Sequence, residues 1–160
     1  MKHGEKKVRG LNEIIKISKQ ARAQGRKVVT TNGTFDIIHV GHVRNLKTAK
    51  SHGDILIVGV NSDASVKKYK GKHRPVVPAA ERAEVLASLS PVDYVFIFDS
   101  ETPIPWLKKI RPHVHAKGAD RKISQIIEKQ TLDEIGAKFV RIPYHKGKPT
   151  TNIIEKIKRL

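Results

Sequence analysis

Residues 54–60 read Asp-Ile-Leu-Ile-Val-Gly-Val, an unbroken apolar run after one acidic residue. A strand with one wet face alternates apolar and polar residues. A continuous run marks a strand covered on both faces, as in parallel sheets. Further strands are expected at 27–31, 93–98, 112–116 and 137–142. Helical spacing fits 11–24, 43–51, 79–89, 102–110, 123–135 and 150–160. Pro103 and Pro105 fall in a first helical turn, where proline is tolerated. The segment 61–78 is expected to be a long loop or a loop with a short helix. Strands alternating with helices predict an α/β fold with a doubly wound, five-stranded parallel sheet.

The chain has 160 residues, enough for a single domain with a real core. We expect a basic tail over 1–10 and one Rossmann-like domain over 11–160. Aromatic residues are only 5%, so Ile, Val, Leu and Ala must fill the interior. With no cysteine there can be no disulfide, thiolate metal site or cysteine nucleophile. No signal-like or membrane-length apolar stretch occurs, which makes cytoplasmic location the expectation. The formal net charge of +17 suits phosphorylated partners. It also raises nucleic-acid binding, but the basic residues are dispersed without interleaved aromatic residues, which disfavours that partner.

The richest stretch for chemistry is 32–45, Asn-Gly-Thr-Phe-Asp-Ile-Ile-His-Val-Gly-His-Val-Arg-Asn. A strand, a glycine turn and two imidazoles at a helix start suit gripping a polyphosphate, because free amides and the helix dipole favour anions there. His39 and His42 can donate hydrogen bonds to charge developing on an attacked phosphorus. Read as a metal pair instead, they lack an obvious third ligand, so no metal site is expected. Gly33, Thr34, Phe35 and Asp36 belong to the same unit. Gly33 is expected to permit the turn, and Gly41 to let a base or ribose approach the backbone.

Ligands of doubly wound sheets bind beyond the carboxyl ends of the strands, and the remaining candidates cluster there. Asn61 and Asp63 follow the second strand. Lys70 stands out among Lys67, Lys68 and Lys72, either on a phosphate-neutralising lid or on an ordinary solvated loop. Arg82 could hold a phosphate or pair with Glu81 or Glu84. Lys117, Gly118 and Asp120 follow the fourth strand, where Asp120 could hold a hydroxyl, hold an amino group or cap a turn. Thr150 and Thr151 open the last helix as a second anion seat or a plain N-cap.

With Thr31-Asn32-Gly33-Thr34-Phe35-Asp36 before it, the H-x-G-H spacing resembles the cytidylyltransferase-like nucleotidyltransferases. Gly59 to Val66, Arg74-Pro75-Val76, Glu81-Arg82, Lys117-Gly118 and Thr150 to Ile154 extend the likeness across 11–157. Within that superfamily the chain most resembles the adenylyltransferase domain of the bifunctional heptose-phosphate enzymes. The resemblance implies transfer of AMP from ATP, with Mg²⁺, to a sugar phosphate, D-glycero-D-manno-heptose 1-phosphate, releasing pyrophosphate. It gives His39 and His42 the transition state, Lys70 the triphosphate charge, and the helix start at Thr150 and Thr151 the triphosphate tail. It also implies a homodimer. Two departures stand out: Pro149 replaces a serine, and Ala119 replaces a glycine before Asp120. CTP with glycerol 3-phosphate is the alternative substrate pair. A non-catalytic nucleic-acid or nucleotide-binding module is the alternative class.

Overall fold

A computed structural model describes residues 5–118, 126–143 and 150–160, with the side chains of 5, 150 and 151 left aside. Five strands form one parallel sheet: β1 (Val28–Gly33), β2 (Ile55–Asn61), β3 (Tyr94–Phe98), β4 (Val114–Gly118) and β5 (Lys138–Ile142). Their spatial order is β3-β2-β1-β4-β5. The chain first builds outward from β1 to β3, then crosses to the other side of β1. The point where the order reverses therefore lies between β1 and β4.

The helices are α1 (Leu11–Ala23), α2 (Val40–Lys50), α3 (Asp63–Lys70), α4 (Ala79–Ala87), α5 (Ile104–Ile110), α6 (Lys129–Glu134) and α7 (Thr150–Ile157). Alternate side chains of β2 enter two cores, which is why its sequence does not alternate in polarity. Leu56, Val58 and Val60 join Leu46 of α2 and Leu86 of α4 on one face. Ile55 and Ile57 join Ile14 of α1 and Trp106, Leu107 and Ile110 of α5 on the other. Every residue of β2 is buried.

Several boundaries differ from the sequence expectation, with consequences for the site. β1 runs on to Gly33, and α2 begins at Val40 rather than at 43. Of the segment expected as a long loop or a loop with a short helix, Asp63–Lys70 is the helix α3, capped by the Ser62 hydroxyl accepting from the Ser65 amide. Lys70 is therefore the last residue of a helix rather than a loop residue. Of the helix expected over 123–135, residues 126–135 contain only the short α6, and 119–125 lie outside the described residues. Residues 5–10, expected as a tail, lie against the outer strand: Val8 bridges Val95, and the Arg9 amide donates to the Val95 carbonyl. No helix among the described residues is long and apolar enough to cross a membrane.

Gly53 joins α2 to β2 through a space only a hydrogen can occupy. A Cβ there would stand 2.7 Å from the Val29 methyl and 2.9 Å from the Lys27 carbonyl. Backbone cannot give way as a flexible side chain would. Gly53→Ala is expected to cost about 1–3 kcal/mol in a urea melt; unchanged stability would show that this junction is looser than described.

Candidate functional site

Beyond β1 the chain turns sharply at Phe35, which takes a left-handed backbone (φ 50°). For a residue with a side chain that costs about 1–3 kcal/mol, so surrounding contacts must enforce it. Gly33 contributes in another way than expected. A Cβ on it would lie 3.1 Å from the Phe35 ring, so its missing side chain makes room for that ring while Phe35 takes the strain.

The next residues form an unusual helix cap. His39 is the N-cap of α2, and its Nδ1 accepts from the Gly41 amide at 3.1 Å. His42 Nδ1 accepts in turn from the His39 amide through a longer 3.4 Å contact. Two amides left without helical partners are thus satisfied by imidazole nitrogens. An accepting Nδ1 carries no proton, so both neutral rings must hold theirs on Nε2. The ring centroids lie 3.9 Å apart with the planes tilted by 33°, and Phe35 is edge-on to His42 at 5.4 Å. A Cβ on Gly41 would meet the His39 ring at 2.9 Å. The expectation that Gly41 clears space for a base or ribose is therefore corrected: the space belongs to His39.

Both imidazoles are hard to charge. Burial holds His39 below its ordinary range. Burial, the adjacent His39 and the Lys70 ammonium push His42 down to about 4. At neutral pH the pair consists of uncharged rings that can still donate through Nε2–H.

Asp36 and Arg82 hold this loop from behind. The Asp36 carboxylate accepts from the Val76 amide at 2.8 Å, the Val77 amide at 2.9 Å and Arg74 Nε at 2.6 Å. Its side chain is 1% exposed. Burial alone would raise its pKa, but the Val77 and Val76 amides and the Arg74 guanidinium outweigh burial and hold it below the usual carboxylate value. Asp36 lines the cleft yet spends its oxygens on the chain. Arg82, also 1% exposed, donates to the carbonyls of Val77, Thr34 and Asn61 and to the Asp63 carboxylate. Four of the five N–H donors of a guanidinium are thereby occupied. Among the described residues neither Glu81 nor Glu84 is its partner. Arg82 and Asp63 were both candidates for the site; the structure places them bracing the strand ends.

In front of this frame, at the β1–β4 reversal, lies a cleft of about 320 Å³. Gly33, Thr34, Phe35, Asp36, His42, Asn61, Lys70, Lys117 and Gly118 all line it. The structure thus gathers most of the sequence candidates, from the ends of three strands and the helices that follow them, around one space. His39 and Gly41 support it from the cap without lining it. Lys117 is less available than a lone lysine, because its ammonium pairs with the buried Glu128. Asp120 lies outside the described residues, and of Thr150 and Thr151 only the backbone helix start is described.

Sequence reasoning missed several lining residues, among them Tyr69, Asn32 and Asn45. Tyr69 shares a 2.5 Å hydrogen bond with the Thr34 hydroxyl, closing the cleft from α3. Asn32 and Asn45 also line it, and each has a buried side-chain oxygen without a partner. Asn45 stands three residues after His42 on α2, so helical spacing from the histidine was the signal that could have found it. Among the described residues no group of three or more His, Asp or Glu side chains could hold a metal ion.

Comparison with known proteins agrees with this geometry. A family model described as Cytidylyltransferase-like matches residues 30–155. The "Bifunctional protein HldE" of Geobacter metallireducens is 43% identical over 153 residues, covering 96% of this chain and 31% of that protein. Its namesake in Aliarcobacter butzleri is 46% identical over 151 residues, covering 94% and 31%. The chain thus spans about a third of the length of these curated relatives. A lipopolysaccharide core biosynthesis protein from Thermoplasma volcanium superposes with a TM-score of 0.65 and 26% identity, over 78% of this chain and all of that one. A pantoate-beta-alanine ligase from Francisella tularensis also reaches 0.65, over 96% and 78% of the two chains; at 16% identity it shows a shared fold alone.

The buried clasp around Asp36 has a testable pH signature. Its lowered pKa means that its stabilisation is complete above the ordinary value of 3.8 and is lost as pH falls through the lower folded value. Asp36→Asn is therefore expected to lose about 1.5–3 kcal/mol at pH 7, with the gap to the parent closing in denaturant melts below about pH 4. A gap that does not narrow as pH falls below 3.8 would contradict the assignment.

Proposed function

We propose, from the premise that this chain belongs to the cytidylyltransferase-like family, that it is a nucleotidyltransferase joining a nucleoside monophosphate to a sugar phosphate and releasing pyrophosphate. ATP is the expected donor and D-glycero-D-manno-heptose 1-phosphate the expected acceptor. The observation that carries this reading is the imidazole pair at the start of α2, its ring centroids 3.9 Å apart, with His42 lining the cleft. The relatives named HldE support the choice of acceptor class, as does the lipopolysaccharide core biosynthesis protein among the similar structures.

The reaction asks little covalent chemistry of the protein. A phosphate oxygen of the acceptor, already anionic, attacks the α-phosphorus of the nucleotide in line. One P–O bond forms as the bond to the β-phosphate oxygen breaks, and pyrophosphate leaves. No proton needs to be removed from the nucleophile, so the histidines are not required as bases. The Nε2–H of His42, which lines the cleft, donates to a non-bridging oxygen as charge builds there, and His39 holds the helix cap beside it. Remaining uncharged spares the site the cost of burying two cations side by side. Lys70, at the end of α3, faces the same cleft and supplies positive charge to the triphosphate. The start of α7 at Thr150 offers a helix N-terminus for its tail.

Mg²⁺ fits as a companion of the nucleotide rather than as a resident of the protein. The Asp36 carboxylate in the cleft wall is committed to amides and Arg74, and Mg²⁺ commonly arrives on phosphates with few protein ligands. When bound, it would neutralise charge on the triphosphate.

The test is pyrophosphate release with ATP or CTP against a panel of sugar and polyol phosphates. Release with ATP and heptose 1-phosphate is expected; release with CTP alone would replace the adenylyl assignment by a cytidylyl one. His42→Ala is expected to lower kcat by about 10²–10³ with little change in melting temperature. Activity within threefold of the parent would remove the imidazole pair from the mechanism.

A further inference from the structure

A second cavity, of about 360 Å³, adjoins the first. Asn32, Asn61, Tyr69 and Lys117 line both and form the wall between them. Beyond that wall the two spaces differ in charge. The first contains Lys70 and the imidazole of His42, and its carboxylate, Asp36, is already bound to Arg74. The second sets two carboxylates against two ammonium groups. Lys68 pairs with Glu101 at 3.3 Å, and Lys117 pairs with Glu128. Pro103 and Ile127 add apolar surface on the same cavity.

Resting on the nucleotidyl-transfer reading, we propose that this second cavity seats the hydroxylated body of the acceptor, whose phosphate lies at the shared wall facing the first cleft. A phosphate placed within the second cavity would face Glu101 and Glu128 while both nearby lysines are already neutralised. Sugar hydroxyls have the opposite requirement, since carboxylates accept their hydrogen bonds strongly. The Pro103 and Ile127 surface suits the C–H face of a sugar ring. The Lys68–Glu101 pair is solvent-exposed, with side chains 63% and 75% accessible. Such pairs contribute little to stability, so a ligand can open this one at small cost.

Asn32 gives an independent reason to place a ligand at the wall. Its buried Oδ1 has no partner in the protein, and an unpaired buried acceptor is costly. A hydroxyl beside the acceptor's phosphate would satisfy it. The orientation also follows the chemistry, because it brings the attacking phosphate, rather than the sugar, next to the nucleotide.

Glu101→Ala and Ile127→Trp test the seat, since both residues are exposed and tolerant of change. Titration calorimetry with D-glycero-D-manno-heptose 1-phosphate, in the presence of a non-hydrolysable ATP analogue, reads its affinity without requiring turnover. Each variant is expected to weaken that affinity about tenfold or more, while affinity for the ATP analogue stays within twofold. A phosphate lodged in the second cavity would instead make Glu101→Ala bind more tightly, because a repulsive charge is gone. Tighter binding, unchanged affinity in both variants, or no heptose phosphate binding by the parent chain would each overturn the proposal. Failure of the parent chain to bind the ATP analogue or release pyrophosphate would overturn the catalytic reading, and the sugar-phosphate titrations still decide the seat.

Discussion

The site depends first on one buried cation. The Arg82 guanidinium donates to the Thr34 carbonyl beyond β1, the Asn61 carbonyl at the end of β2, the Val77 carbonyl in the loop before α4, and the Asp63 carboxylate of α3. The Thr34 and Asn61 carbonyls emerge where the sheet ladder stops, and each would otherwise be an unsatisfied group next to the cleft. A buried charge with four acceptors is tolerable; the same charge with one partner removed leaves an uncompensated group, at about 3–5 kcal/mol. That asymmetry fixes four segments relative to one another before any ligand arrives.

The remaining elements are ordered from this centre outward. Asp36 takes the amides of Val76 and Val77, so the loop braced by Arg82 through Val77 is also clasped to the turn that carries the histidines. The turn holds Phe35 in a strained conformation, and the Phe35 ring in turn supports His42 from its edge. The helix cap then fixes both imidazoles by their Nδ1 atoms. Each step converts backbone hydrogen bonding into side-chain direction, which is what transition-state stabilisation by preorganised donors requires.

The parallel sheet was legible because burial on both faces erases polar alternation, and residues 54–60 show that directly. The cluster around 33–42 was legible because an imidazole pair with this glycine spacing is rare. Other features depended on distant chain segments meeting. Arg82 looks like a phosphate ligand in sequence because three of its partners are backbone carbonyls, which no side-chain pattern reveals. The helix α3 buries only Ser65 and Val66, too few positions for a convincing helical stripe amid its lysines. His39 as an N-cap was hidden because histidine is not among the residues that commonly cap helices. Asn32 and Asn45 acquire meaning only when their unpartnered oxygens are seen to line one cavity.

The central claim is that the helix cap holds two neutral imidazoles as Nε2–H donors. Nitrogen-15 NMR of the histidine rings tests this most directly. At pH 7 His39 and His42 should each show a protonated Nε2 and an unprotonated Nδ1, and His42 should gain its charge only near pH 4. A proton on Nδ1 of either ring, or titration of His42 at its ordinary value of 6.5, would contradict the account.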